Sequence, residues 1–190
     1  LGDQAKSFKN ELQNIPGVQK VTMTGYLPTG DYRNDSPLYP EATLDQKRAV
    51  AMQNWYVDEN YIPTLQMQIV KGRNFSSQMP TDSSAIIVNE AAAKLLNFDD
   101  PINKTLYYLT SLKDKKVKEY HIVGVVKDFN FNSLRQMVSP LALFYAEEKH
   151  APTEYLGLFF RAFRNFFPFL PAKSSKEKTL IACLVLGITY

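Results

Sequence analysis

Apolar residues Ala5, Phe8, Leu12 and Ile15 recur at helical spacing, which predicts an amphipathic helix over 3–15, with Asp3 placed to cap it and Pro16-Gly17 to stop it. Residues 18–23, VQKVTM, alternate well enough for a half-buried strand. Residues 26–47 then read as one long loop, because Pro28, Gly30, Pro37 and Pro40 stand among polar neighbours. Tyr26, Tyr32 and Tyr39 in that loop are expected to pack it onto its own domain. Residues 50–57 return to strand alternation. Asp58 is placed to cap a short helical turn through Tyr61 and Ile62, which Pro63 limits by lacking an N–H. A further strand is expected over 65–70, closed by Lys71-Gly72-Arg73, with Gly72 supplying a backbone angle that other residues resist.

The pattern is clearest in the next segment. A strand over 84–88 runs into Asn89, a good helix N-cap, and Glu90, whose charge suits the positive end of a helix dipole. Residues 91–96, AAAKLL, have high helix propensity, and Asn97 can close the helix in a left-handed conformation. Asp99-Asp100-Pro101 reads as a turn. Residues 104–109 and 117–126 predict a hairpin around a lysine-rich turn, KDKKVK over 113–118. Asn132 or Ser133 is placed to cap a short helix through Met137, Pro140 ends it, and 141–145 and 156–160 are expected strands. After that the aromatic stretch 166–171, the polar run 173–178 and the apolar end 180–190 share no helical or strand period. The order of elements predicts a mixed α+β fold.

Composition narrows the class. The 190 residues suit one domain or two small ones, and 45% hydrophobic against 22% charged residues is the balance of a chain that buries a core. The net charge of +3 comes from lysines scattered along the chain, without the dense basic stripe of a nucleic-acid binder. The lysine-rich turn therefore reads as solvated. A single cysteine, Cys183, allows no intrachain disulfide and leaves the compartment open. The start is polar rather than a signal peptide, and no run reaches the ~20 apolar residues of a membrane span. The nearest is 180–190, so any spanning helices of a parent membrane protein are expected outside this sequence.

Candidate chemistry is sparse. His121 and His150 lie far apart, and His121 falls in a strand pattern that favours a structural role. No zinc spacing occurs. Gly124 stands alone, so there is no dinucleotide fingerprint, and Lys104-Thr105 lacks the glycine loop that cradles a triphosphate. SKEK over 175–178 matches a serine–lysine string in a polar run with no helix to join its two ends. Asp99 and Asp100 offer fewer oxygens than calcium takes. Lys127-Asp128 follows a buried strand, a place where active sites occur, yet no base, metal ligand or second carboxylate lies close in sequence. Phe129 and Phe131 instead suggest an aromatic anchor for a turn. No catalytic, cofactor-binding or metal-binding residue is therefore assigned, and no cofactor is expected.

Five short strings in order carry a resemblance over about Phe8 to Tyr145. They are IPGV at 15–18, VDENYIPTL at 57–65 with KGRNF at 71–75, IVNE at 87–90, DPI at 100–102, and IVGVVKDF at 122–129. In that order the chain resembles the MacB-like periplasmic core domain of FtsX/MacB-type ABC transporter permeases, and VKDFN gives it the flavour of Bacteroidetes-type members. The resemblance implies two α/β subdomains: a discontinuous membrane-proximal unit, 1–57 with 141–165, and an inserted lobe, 58–140. It also implies a tail, 166–190, outside the family pattern. It further implies a non-catalytic extracytoplasmic domain at the periplasmic face of the bacterial inner membrane, which transmits conformational change or engages substrate and partner proteins. The expected partners are an ABC ATPase, a second permease copy or subunit, and a periplasmic or lipoprotein partner, with no nucleic acid. Two other classes stand beside it: a free-standing envelope binding module for peptide or lipid, and a hydrolase using Asp128 or a serine.

Overall fold

A computed structural model of the chain describes residues 2–25, 35–111, 116–129, 137–146, 156–163 and 179–186, with the backbone path alone for 2–6, 156–163 and 179–186. Among the described residues it combines three α-helices with ten strands, the mixed α+β class that the element order predicts. Its contacts divide it into two units. The first comprises Leu1–Leu27, Val57–Met67 and Ala146–Tyr190, and the second comprises Pro28–Tyr56 and Gln68–Tyr145.

In the first unit, α1 (Gly2–Gln13) leads into β1 (Val18–Thr24). Val21 and Met23 are buried, with Phe8, Leu12 and Val18 packed against them, so the apolar stripe of α1 covers one face of β1.

The second unit is built on β2 (Asp35–Tyr39) and β3 (Val50–Val57), an antiparallel pair in which Leu38 faces Val50. Between them Asp45 caps a single 3₁₀ turn by accepting the Lys47 N–H. Residues 35–39 fall inside the stretch expected to be a loop. Pro37 does not prevent this strand: it stands opposite Ala51 of β3, and the pairing of β2 on its other side starts only at Leu38, so at Pro37 the strand is locally an edge.

The last residue of β3 already belongs to the first unit, where Val57 pairs with Thr24, and α2 (Tyr61–Thr64) follows there. Asn60 occupies its N-cap without a side-chain bond of its own, and the Asp58 carboxylate reaches the helix entry by accepting the Asn60 N–H at 3.1 Å. The helix ends in a Schellman turn, in which Gln66 is left-handed (φ 56°) and the Met67 N–H returns to the Ile62 carbonyl at 3.0 Å. That turn occupies the residues expected to open a strand at 65. In the second unit β4 is accordingly Ile69–Gly72 alone.

The rest of the second unit follows its sequence pattern closely. β5 (Ala85–Asn89) is buried throughout and feeds α3 (Glu90–Leu96). The Asn89 side chain accepts the Ala92 N–H at 3.0 Å, and Asn97 closes the helix at φ 52°. β6 (Thr105–Ser111) and β7 (Lys116–Val126) form the hairpin, and β8 (Leu141–Tyr145) completes the unit. The strand order is β3-β2-β6-β7-β5-β8 with β4 also on β7, and a further pairing of β8 with β3 joins the two ends of the order. β5 runs parallel to β7 and antiparallel to β8. At Gly72, φ is +71° and a Cβ would stand 2.2 Å from the Val123 carbonyl oxygen, so both the angle and the close approach of β4 to β7 require glycine.

The core of this unit centres on Phe144. The rings of Tyr120, Tyr56 and Tyr108, from three other strands, surround it at centroid distances of 4.8, 5.3 and 6.2 Å. Ala92 and Leu96 of α3 bury against the same cluster.

Back in the first unit, β9 (Leu156–Phe163) pairs antiparallel with β1, and β10 (Thr179–Leu186) pairs antiparallel with β9. The apolar end of the chain thus contributes a strand where the sequence showed no period. The helix expected around 132–137 falls largely outside the described residues, as do the stretches 113–115, 166–171 and 173–178 and the residue His150.

These boundaries differ from those implied by the resemblance. The contacts place 28–56 with 68–145, because β3 takes its long pairing from β2, and they place 57–67 in the other unit, because that segment pairs and packs on β1.

Candidate functional site

Three clusters of charged groups and one cleft are the candidates. The first cluster surrounds Asp128. Asp128 lies just past β7, which brings it to the start of α3. Its carboxylate accepts the Ala91 N–H at 3.0 Å, and its own N–H donates to the Glu90 carboxylate at 3.0 Å. Both carboxylates thus lie at the positive end of α3, where unpaired N–H groups need acceptors. Asp128 has two helix-terminus bonds, one through its carboxylate and one through its N–H. Beside it Phe129 meets Trp55 edge-on at 6.0 Å. The turn is anchored both by that aromatic pair and by the helix-end bonds, and the sequence could suggest only the former.

The second cluster is Arg73 with Asp82. The guanidinium donates two hydrogen bonds to the carboxylate, at 2.8 and 2.6 Å, and the Ser76 N–H donates a third at 2.8 Å. Asp82 is fully buried. Burial alone would raise its pKa, but the Arg73 fork and the Ser76 N–H outweigh it and hold the carboxyl below its ordinary value. Bidentate pairing of this kind fixes the 80–84 turn ahead of β5.

The third cluster lies in the first unit. Asp58 is 5% exposed and receives the Lys9 ammonium at 2.6 Å, the Thr22 hydroxyl, the Met23 N–H at 2.9 Å and the Asn60 N–H at 3.1 Å. Lys9 is itself buried. Burial pushes the carboxyl upward, while Lys9, Thr22 and the Met23 N–H favour its charged form. One side chain therefore ties α1, β1 and the start of the 57–67 segment together.

The cleft belongs to the second unit. It measures about 480 Å³ and is lined by Pro40, residues 47–51 and residues 95–97, between the 3₁₀ turn with the start of β3 and the C-terminal end of α3. Leu96 is buried in its wall, while Leu95 is 58% exposed. Lys47 and Arg48 bring positive charge to it, and among the described residues no carboxylate lines it. Arg48 pairs with Glu41.

The other sequence candidates stay apart. His121 is exposed and meets the Thr105 hydroxyl through Nδ1 at 3.1 Å, within the β6–β7 hairpin. Asp100 accepts the Ile102 N–H at 3.3 Å and lies 3.9 Å from Lys71, as a turn residue does. Among the described residues no three His, Cys, Asp or Glu side chains gather as a metal site requires, and no helix is long and apolar enough to cross a membrane.

The family model of the MacB-like periplasmic core domain matches residues 2–162. The chain belongs to that family. It is a periplasmic domain of the MacB/FtsX type of ABC transporter, placed on the extracytoplasmic side of the inner membrane. Among solved structures it is similar to a domain assigned to a permease protein of Porphyromonas gingivalis, with 18% identity, a TM-score of 0.51, and coverage of 75% of this chain and 56% of that one. It is also similar to the periplasmic region of MacB from Actinobacillus actinomycetemcomitans, with 15% identity, a TM-score of 0.47, and coverage of 72% and 61%. A third similarity is to the extracellular domain of the noncanonic ABC-type transporter YknZ from Gram-positive bacteria, with 14% identity, a TM-score of 0.49, and coverage of 74% and 61%. The chain spans 56 to 61% of the length of these structures. No curated protein matches it.

Within this MacB-like domain, three features escaped the sequence. The Lys9–Asp58 pair joins residues 49 apart, the Asp128–Glu90 exchange joins residues 38 apart, and the cleft joins a loop to a helix end. The cap signals at Asn89 and Glu90 located the α3 terminus, and an acceptor approaching that terminus was the one signal available for Asp128.

Proposed function

We propose that this domain does no chemistry of its own and serves as a mechanical element of an ABC permease. On this reading it transmits conformational change on the periplasmic side, in answer to nucleotide turnover by an ATPase across the membrane, and engages substrate or partner proteins. Membership of the MacB-like family over residues 2–162 carries the reading. The use of charge agrees with it. Asp128 and Asp82 are spent on a helix terminus and an arginine fork, and Asp58 ties together elements of the first unit. Such bonds stiffen a body that must pass on a displacement. On this reading the first unit takes the membrane-proximal role and the second the inserted role, and the permease is expected to work as a pair of copies or subunits with its ATPase.

The test uses the complete permease with its ATPase in proteoliposomes. Asp128→Asn, which keeps an acceptor at the helix end, is expected to leave ATP turnover and transport near wild-type levels. Asp58→Asn loosens the first unit and is expected to lower transport per ATP hydrolysed. Hydrolysis of an ester or peptide by the purified 190-residue chain, lost in Asp128→Asn, would overturn the proposal in favour of an enzyme.

A further inference from the structure

We infer that the outer edge of β10 is an association surface, on which a second copy of this chain pairs its own β10 antiparallel about a two-fold axis at Cys183. β10 stands at one end of the strand order and, among the described residues, pairs with β9 alone. Its other edge therefore presents a row of backbone N–H and C=O groups that an incoming strand can fill. Sheet ends are ordinarily guarded by a charge, a proline, a bulge or a short strand. β4 has such guards: it is four residues long, includes Lys71, and shifts register against β7. β10 has none of them. Its eight residues, TLIACLVL, carry no charge and no proline, and all eight meet β9 without a register shift.

The same features select the occupant. Strand alternation puts Leu180, Ala182, Leu184 and Leu186 on one face and Ile181, Cys183 and Val185 on the other, so an apolar strand matches β10 on both faces. A second β10 is such a strand. Antiparallel pairing of identical strands is isologous, so the two edges close on each other and neither stays open. Directly opposite residues in an antiparallel ladder either both turn their N–H and C=O to the partner or both turn them away, so the two-fold axis must pass through a residue. The middle of β10 falls between Ala182 and Cys183. An axis at Cys183 sets Leu180 against Leu186, Ile181 against Val185 and Ala182 against Leu184. An axis at Ala182 would instead bring Thr179, the strand's one hydroxyl residue, against Val185. The edge gives the pair of copies expected of a permease a place to meet, and for that role the inference rests on the permease reading.

The test is sedimentation velocity of the purified 190-residue chain over a range of concentrations, with mild oxidation of the same samples. A reversible dimer is expected. Oxidation should convert it to a Cys183–Cys183 disulfide, because directly opposite residues stand about 4.5 to 5.5 Å apart at Cα, within disulfide reach. Cys183→Ser should keep the reversible dimer and lose the covalent one. The double variant Ala182→Lys, Leu184→Lys sets lysines against each other on both sides of the axis and should weaken the dimer about tenfold. The wild-type disulfide decides the question even where the lysine variant fails to fold. A monomer at every concentration, a dimer that oxidation leaves unlinked, or a folded lysine variant that dimerises like wild type would overturn the inference. So would binding to phosphatidylglycerol vesicles as a monomer, which would assign the apolar edge to lipid. A monomeric chain would remove this surface and leave the permease reading intact, because coupling is measured separately on the complete permease.

Discussion

Asp128 and Glu90, 38 residues apart, exchange places at one helix end: each carboxylate accepts an N–H at the junction, Asp128 from Ala91 and Glu90 from Asp128. The arrangement works like a capping box drawn from two chain segments instead of one. It fixes where the chain leaves β7 relative to where it enters α3. The residue that most resembled a catalytic carboxylate in the sequence is thus a structural acceptor.

Asp128→Ala should therefore cost about 1 kcal/mol of stability, the usual cost of losing a helix-terminus acceptor. Asp128→Asn should cost less, because the amide oxygen still accepts the Ala91 N–H. Urea denaturation would show this as a lower midpoint at unchanged slope for Ala and a smaller shift for Asn. Equal losses for the two would contradict the capping role.

The Lys9–Asp58 pair calls for a double-mutant cycle. Lys9→Met alone leaves a buried carboxylate with only neutral donors, and Asp58→Leu alone leaves a buried ammonium. Each should cost about 3–5 kcal/mol, as broken buried pairs do. Lys9→Met with Asp58→Leu removes both charges and should recover much of that loss. The Thr22 hydroxyl and the Met23 and Asn60 N–H groups would lose an acceptor, so recovery should stop short of wild type. Additive losses would show that the charges do not interact.

The legible part of this fold was its local part. Asn89, Glu90 and Asn97 announce a helix within nine residues of chain, and the β6–β7 hairpin shows as two alternating runs around a polar turn. What stayed hidden depends on partners far away. β2 has only five residues, one of them Pro37, and it exists because β3 and β6 flank it. The strand expected from 65 starts at 69, because a Schellman turn with Gln66 in the left-handed region outlasts the short helix. Asp58 fits a helix-cap position, and it does accept the Asn60 N–H at the helix entry. What its position could not show is the ammonium and the hydroxyl that meet the same carboxylate in a dry site. The structural uses of Asp58, Asp82 and Asp128 needed coordinates.

Gly72 should tolerate no side chain. A Cβ there meets the Val123 carbonyl oxygen at 2.2 Å and the Gly124 Cα at 3.0 Å, backbone groups that cannot swing aside, and the φ of +71° adds strain. Gly72→Ala should destabilise by about 2 kcal/mol or more, because incompatible geometry costs beyond the ordinary glycine-to-alanine gain. Faster amide hydrogen exchange in 69–72 and 123–126 than elsewhere in the variant would locate the damage. Uniform exchange across the chain would argue against a local clash.

Acid should act through Asp82. Its folded-state pKa lies below the ordinary carboxyl value, so the unfolded chain takes up the proton first as pH falls. The stabilisation from the Arg73 pair is complete above the unfolded carboxyl pKa of about 3.9, and it disappears as pH falls through the folded value. Asp82→Asn should therefore flatten this part of the stability curve below about pH 4, and it should cost about 2–3 kcal/mol at neutral pH through the loss of a charge-assisted fork. An unchanged acid slope in the variant would assign acid unfolding to other carboxylates.

Alkali should act through the aromatic cluster around Phe144. Burial, with the neighbouring tyrosines, pushes the Tyr56 and Tyr120 phenols up to about 12. In the unfolded chain both ionise near 10. Above that pH the unfolded state loses protons that the folded state still holds, so stability is intact below pH ~10 and falls as pH rises toward 12. Tyrosinate absorbance should show a late phase that is absent from the double variant Tyr56→Phe, Tyr120→Phe. That variant keeps the rings that pack on Phe144 and should show a shallower loss of stability between pH 10 and 12. A wild-type titration finished by pH ~11, while the chain is still folded, would mean that water reaches these hydroxyls.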